Sequence, residues 1–300
     1  MSLVSGDVML ELAAAGLRLV LAPETGGAIT RWTRGDWPLL RPVADPNLGA
    51  QRGVAVAAYP LVPFCNRIAW GRFRFGGADF HLDRNFGDHP HTLHGNGWMR
   101  PWRVERAAAD EAVLRLDHAL PRDPAGEWPF RYHAEQAFRL DAEGLTVTLT
   151  LENRDERPMP GGIGLHPFVA RGPATELGFV ADAVWRNGPD ALPEACLPVG
   201  GHWNFSVPRQ IGDTAIDECY AGWHGAARVW WPERGFGLAI TAGAPFGHLQ
   251  LYVPPGRDYM GIEPVSHMTD AVNRLEVPGN GLRVLAPGER LAGAVRFGLI

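Results

Sequence analysis

Three hundred residues with 46% hydrophobic and 20% charged side chains describe a globular chain long enough to bury a large core, which excludes disorder and fibrous repeats. A net charge of -5, with no basic stripe, argues against a nucleic-acid partner. All 28 basic residues are arginine, so Schiff-base, pyridoxal-anchoring and phosphate-loop lysines are excluded, while 11 Trp and 11 His suit a polar, non-ionic ligand.

Asp7 and Glu11 precede any basic residue and Arg18 interrupts the first apolar stretch, which does not read as a secretory signal. The first predicted strand covers 16–21. Another covers 72–75. The short 107–112 stretch reads better as a turn between strands than as a helix, and 113–116 is the strand that follows it. Between Phe130 and Leu140 a period of two places Phe130, Tyr132, Ala134, Gln136, Phe138 and Leu140 on one face. Asp141-Ala142-Glu143-Gly144 then reads as a hairpin loop into the strictly alternating run from Leu145 to Leu151. Further strands are expected at 227–231, 238–241, 248–253 and 292–298, each bounded by turn residues. The whole chain, 1–300, is therefore expected to be one all-β domain of two large packed antiparallel sheets. No apolar run is long enough for a membrane helix. Cys65, Cys196 and Cys219 show no paired spacing, which favours a reducing compartment and a cytoplasmic location.

Four segments carry polar side chains in unusual settings. Asn66-Arg67 lies between apolar residues just before a strand, offering an amide and a five-donor guanidinium. His89-Pro90-His91-Thr92-Leu93-His94-Gly95, followed by Trp98 and Trp102, places imidazoles near indoles. His89 and His91 would share a strand face and invite a metal, but no glutamate follows at metal-ligand spacing, and imidazole donors beside aromatic faces fit a sugar better. In Gly161-Gly162-Ile163-Gly164-Leu165-His166-Pro167-Phe168 the glycines allow close backbone approach and the proline holds His166 extended. Glu263 follows the apolar stretch Tyr259-Met260-Gly261-Ile262, where burial would raise its pKa toward that of a useful base, and Asp217 lies in a turn-rich segment. No Gly-x-Ser-x-Gly elbow or cysteine context supports a covalent nucleophile.

In this order the segments resemble the aldose 1-epimerase (galactose mutarotase) family. The shared features are Asn66-Arg67-Ile68 with a Gly-x-Phe-x-Phe strand, Leu93-His94-Gly95 with Trp102, and Gly164-Leu165-His166-Pro167-Phe168. Asp217, Glu263-Pro264 with Asn273, and both chain ends complete them. The resemblance implies a β-supersandwich with the sugar on a concave face, and a cofactor-free, metal-free interconversion of α and β anomers. It implies His166 as general acid and Glu263 as general base, on opposite sides of the C1–O5 unit, with Arg67, His94 and Asp217 holding sugar hydroxyls. Asn66 belongs to the same motif, and Trp98, Trp102, Gln250 and Tyr252 are candidate wall residues on residue type alone. The expected partner is a small-molecule sugar, with no nucleic acid and no membrane; a homodimer stays open.

Three rival readings make different demands. A glycoside hydrolase would pair Asp217 with Glu263. A non-catalytic sugar-binding module would need neither His166 nor Glu263. A hexose-6-phosphate epimerase of the related group would keep the acid–base pair and add arginines for the phosphate.

Overall fold

The computed structural model describes residues 9–43, 55–119 and 126–300; Asp7 lies outside them. Two large antiparallel sheets dominate. The 11-stranded sheet runs in the order Leu10–Ala14, Leu17–Ala22, Ala28–Arg34, Ala58–Leu61, Gly164–Ala170, Tyr259–Val265, His248–Val253, Ile216–Ala221, Ala183–Asn187 and Pro193–Pro198, with Trp37–Pro38 paired off the third strand. The nine-stranded sheet contains Glu111–His118, Tyr132–Asp141, Gly144–Asn153 and Arg290–Leu299 as consecutive neighbours. This is the β-supersandwich expected of a galactose mutarotase-like chain. No helix among the described residues is long and apolar enough to cross a membrane.

The period-two patterns have a direct physical outcome. In Gly144–Asn153, Leu145, Val147, Leu149 and Leu151 are buried while Thr146, Thr148 and Thr150 are half-buried, because alternate side chains leave opposite faces of the pleat. The turn into that strand is closed by Asp141, whose Oδ1 accepts from the N–H groups of Glu143 at 2.9 Å and Gly144 at 3.0 Å. Gly144 takes φ 147° with the backbone of Phe297 against its α-carbon, a position a side chain would block. The 107–112 region is the tight connection between the strands Arg103–Ala107 and Glu111–His118, as its sequence implied.

Between the sheets lies a continuous core. Leu165, Val169, Leu249, Leu251, Met260 and Ile262 from the large sheet meet Leu145, Val147, Leu149, Leu238, Val295 and Phe297 from the smaller one. Trp102 belongs here: it is 1% exposed, its Nε1 donates to Gly97 O at 2.9 Å, and it does not line the candidate pocket. Its placement corrects the expectation that it forms a site wall. The indole's large apolar area is better satisfied between sheets than at a polar rim. Because the strands alternate, the central strands of the large sheet that fill this core with one set of alternate residues must present the other set on the opposite face, and that face carries the site.

Candidate active site

Register aligns the site. Tyr59 pairs with His166 across the strands Ala58–Leu61 and Gly164–Ala170. Gly164 pairs with Val265 and Phe168 with Gly261, which brings His166 opposite Glu263. Gln250 pairs with Glu263 in turn. Tyr59, His166, Glu263 and Gln250 thus form a row across four adjacent strands. One step along the strands, Asp217 pairs with Tyr252. The pocket above these rows encloses about 260 Å³ and is lined by all the expected site residues except Trp102. It also takes in Arg41, Tyr59, Phe86, His89, Leu93, Phe168 and Tyr259.

At the centre, His166 Nε2 lies 3.2 Å from Glu263 Oε1, and both side chains are buried. The pair was expected to stand on opposite sides of the reacting unit; instead the two groups are neighbours in direct contact. Burial, aided by electrostatic interaction with His94 and with the Arg41 guanidinium, holds the His166 imidazole well below its usual range. Burial also raises the Glu263 carboxyl well above the carboxylate range, with Asp217 adding to the rise and Arg67 opposing it. Desolvation therefore favours an uncharged pair sharing one proton between them. His166 Nδ1 is buried with no hydrogen-bond partner among the described residues.

Beside the pair a network of charged and amide groups is tied to one carboxylate. Asp217 accepts from Arg67 at 3.0 Å on Oδ2 and from Gln250 at 2.7 Å on Oδ1. Asn66 donates to Gln250 Oε1 at 3.0 Å and accepts from Arg67 at 3.1 Å. The ring closes on itself, so each amide orientation is fixed by its neighbours. Asn66 and His94 both occupy the left-handed region, at φ 56° and 61°, a costly conformation for residues bearing a side chain. Each holds the other: His94 N–H donates to Asn66 O at 2.7 Å, and Asn66 N–H donates to His94 Nδ1 at 3.1 Å. An accepting Nδ1 leaves the proton of the neutral ring on Nε2, and burial with the charges of Arg67 and His89 pushes the His94 pKa down to about 3. His94 is thereby fixed as a neutral hydrogen-bond donor.

The remaining wall is aromatic. Tyr59 packs against His166 at 4.7 Å between ring centroids, Phe168 against His166 at 4.3 Å, and Tyr59 against Trp98 at 5.7 Å. The Arg41 guanidinium lies 3.6 Å over Phe168, its Nε donating to Val56 O at 2.7 Å. Phe168 and Tyr259 stood inside motifs already singled out by sequence. Arg41 and Tyr59 had no such mark, one being an arginine among 28 and the other part of an apolar run.

The surrounding loops explain the other motifs. His89 and His91 do not share a strand: the strand begins at Thr92, and the histidines lie in the loop before it. His91 is committed to backbone, its Nδ1 accepting from Trp70 N–H and its Nε2 lying 2.9 Å from Asp190 O. The glycines before His166 make room as expected, since a Cβ on Gly162 would strike His267 and one on Gly164 would meet Cys65 Sγ at 2.8 Å. Asp270 N–H donates to Arg67 O, and its carboxylate accepts from Ala69 N–H and Asn273 Nδ2. The loop after Glu263 thus clamps the segment that carries Arg67.

Comparisons with known proteins agree with this fold. The aldose 1-epimerase family model matches residues 9–298. The uncharacterized protein YphB of Escherichia coli (strain K12) is 31% identical over 288 residues, covering 93% of this chain and 94% of the relative. A crystal structure of an Escherichia coli K12 protein provisionally assigned as an aldose 1-epimerase superposes with a TM-score of 0.88 at 28% identity, covering 98% of this chain and 99% of that one. A galactose mutarotase-like protein from Clostridium acetobutylicum, 16% identical, shares the fold with a TM-score of 0.85 over 97% of this chain and 95% of its own. From the match along nearly its entire length, the chain belongs to the aldose 1-epimerase family.

Proposed function

We propose that this protein is an aldose 1-epimerase that interconverts the α and β anomers of a hexose, with Glu263 as general base and His166 as general acid. The observation that carries the reading is the buried His166–Glu263 contact at 3.2 Å, placed at the floor of a pocket of hydrogen-bonding groups. O1 and O5 are both bonded to C1, so an acid and a base standing side by side can reach both oxygens. Facing groups are not required.

In the competent form Glu263 is a carboxylate and His166 carries a proton on Nε2. Relative to the uncharged pair that burial favours, this form differs only by transfer of one proton across the contact. Glu263 removes the proton from O1–H while the C1–O5 bond breaks, the C1–O1 bond becomes a carbonyl, and His166 delivers its proton to O5. Rotation about C1–C2 then presents the other face of the aldehyde. Ring closure returns one proton from Glu263 to O1 and one from O5 to His166. Each proton transfer by a positioned group contributes roughly 10²–10⁴-fold. Arg67, His94, Asp217, Asn66 and Gln250 hold the sugar hydroxyls, and the ring's C–H face rests on the aromatic wall.

The hydrolase alternative would assign Asp217 an acid or nucleophile role, but both of its carboxylate oxygens are engaged, by Arg67 and by Gln250. The phosphate alternative draws support from Arg41 in the pocket. Polarimetry on freshly dissolved α-D-glucose and α-D-galactose, in chelator and with no added cofactor, tests the reading. Faster mutarotation is expected, and it should be lost in Glu263→Gln. Acceleration only of hexose phosphates would favour the phosphate alternative, and equal activity in wild type and Glu263→Gln would remove the mechanism.

A further inference from the structure

An acid and a base that only interconvert anomers need never exchange a proton with each other. In mutarotation, ring opening puts one proton on Glu263 and takes one from His166, and closure reverses both transfers. Groups on opposite sides of C1–O5 would be reset equally well. Here His166 Nε2 and Glu263 Oε1 instead stand 3.2 Å apart, with both side chains buried. Such a contact lets the pair reset without its substrate. We propose that the same site hydrolyses aldono-1,5-lactones, cyclic esters in which C1 is a carbonyl bonded to O5, opening the ring one way to the aldonic acid. This rests on the epimerase reading, which places C1 and O5 at the pair.

Water is the one co-reactant. Glu263, as carboxylate, takes a proton from water while the water oxygen bonds to C1 and the carbonyl electron pair moves onto the carbonyl oxygen. That pair then re-forms the carbonyl, the C1–O5 bond breaks, and O5 takes the proton of His166. The product carries a carboxylic acid at C1 and a free hydroxyl at C5, and the acid loses its proton to solvent. Glu263 is left protonated and His166 neutral, the uncharged form that burial favours. No ring closes to return either proton. One transfer from Glu263 Oε1 to His166 Nε2 across the contact restores the starting form.

Two further features suit the tetrahedral adduct. It bears an axial and an equatorial oxygen on C1 at once, one from water and one from the carbonyl. These are the positions that O1 takes in turn in the two anomers, so a pocket that seats both anomers has room for an oxygen at each. The adduct's oxyanion also needs a donor that keeps its proton. His94 lines the pocket beside His166, with 5.5 Å between ring centroids. Its Nδ1 accepts from Asn66 N–H, which leaves the ring proton on Nε2, and Nε2 has no hydrogen-bond partner among the described residues. A neutral donor fixed in place in this way stabilises negative charge as it develops.

D-Glucono-1,5-lactone tests the proposal, in chelator and in mildly acidic buffer where uncatalysed hydrolysis is slow. Remaining lactone is trapped as the hydroxamate, and glucose mutarotation is followed by polarimetry in the same preparations. The wild-type protein should consume the lactone faster than buffer does, and heavy-oxygen water should label the new carboxyl group and not O5. Glu263→Gln and His166→Asn should each lower kcat/KM for the lactone by roughly 10²–10⁴-fold. The 1,4-lactone, whose leaving oxygen is O4, should not be accelerated. If glucose is mutarotated while the 1,5-lactone only inhibits and is not consumed, the hydrolysis is wrong and the epimerase reading stands. The same holds if both substitutions leave the lactone rate unchanged, or if the 1,4-lactone gains as much. If neither glucose nor the lactone responds, both are wrong.

Discussion

Two buried histidines, His166 in the strand Gly164–Ala170 and His267 in the loop after Tyr259–Val265, experience the same force in different company. Both are nearly inaccessible, at 6% and 2% exposure, and burial lowers both pKa values. His267 is spent on backbone: its Nε2 accepts from Cys65 N–H at 3.0 Å and its Nδ1 lies 2.7 Å from Met268 O. His166 instead meets a carboxyl that burial has also discharged, and its other nitrogen has no partner among the described residues. Desolvation alone thus does not make a catalyst. What separates the two is the partner: a fixed backbone group locks a proton in place, whereas a second titratable group of shifted pKa gives the proton somewhere to go.

The largest expected effect comes from removing that second group. Glu263→Gln should lower kcat/KM by about 10³-fold, within the range for a lost general base, while leaving KM little changed. It should also raise the melting temperature at neutral pH. The sign follows from linkage: the folded pKa of Glu263 lies above its unfolded value, so the stability this group contributes is full below the unfolded pKa and is lost as pH rises through the folded one. Glutamine does not titrate, so the variant's advantage should grow from pH 5 to pH 8 in thermal melts. The pH–rate profile of the wild type belongs to the pair as a unit. A favoured uncharged pair places the acid limb below the ordinary histidine value and the alkaline limb above the ordinary carboxylate value, giving a broad plateau by polarimetry.

The reverse pattern is expected at His267, where stability should move and the chemistry should not. His267→Ala removes the acceptor of Cys65 N–H and leaves a cavity against Gly162, which should cost about 2–4 kcal/mol in denaturant titration, with kcat within a few-fold of wild type. The same variant should blunt acid unfolding. The pKa values of His248 and His267 are both pushed down to about 4, chiefly by burial. A folded pKa below the unfolded one means stability that is present above about pH 6.5 and lost as pH falls toward 4, on the order of 3 kcal/mol per group. Equilibrium unfolding at pH 7, 5.5 and 4.5 measures the slope, which should be shallower without His267. A variant that lost kcat and kept its stability would erase the distinction between the two histidines.

Sequence made the two histidines distinguishable only in part. The strand pattern was legible because burial of one face forces a period of two, as Leu145 to Leu151 shows. His166 and Glu263 drew notice through their local settings, glycines and proline around one and an apolar run before the other, but their roles came only from the ordered set of motifs that resembles the aldose 1-epimerase family. Contact between them was not legible, because the pairing of Gly164–Ala170 with Tyr259–Val265 joins residues about a hundred positions apart. The same limit explains Trp98 and Trp102. Both are tryptophans near His94 in sequence, yet one lines the pocket and the other is sealed between the sheets. Their difference lies in the path of the chain through the 3-10 turn Gly97–Met99, which residue type does not announce. Arg41 was invisible for a further reason: its place is set by stacking on Phe168, a tertiary contact without a local motif.

The smallest expected effect probes how closely the acid–base contact is tuned. Gly261 faces Phe168 in the register and sits one step from Glu263 along its strand. A Cβ there would approach Glu263 Oε1 to 2.8 Å, Tyr252 Cβ to 3.2 Å and His166 Cε1 to 3.3 Å. The strand backbone accepts alanine, so Gly261→Ala introduces no left-handed backbone strain, and its methyl group presses first on these three nearest neighbours. Of these, the carboxylate oxygen has the most freedom to move, and moving it changes its distance to His166 Nε2. A displacement of this size in a proton-transfer pair is expected to lower kcat about tenfold. KM should move less than kcat, because Arg67, Asp217 and His94 are not among the nearest neighbours of the new methyl group, and the melting temperature should stay near that of the wild type. A fall in KM-dependent binding with kcat intact would instead mean that the space beside Gly261 is used by the sugar and not kept for the pair.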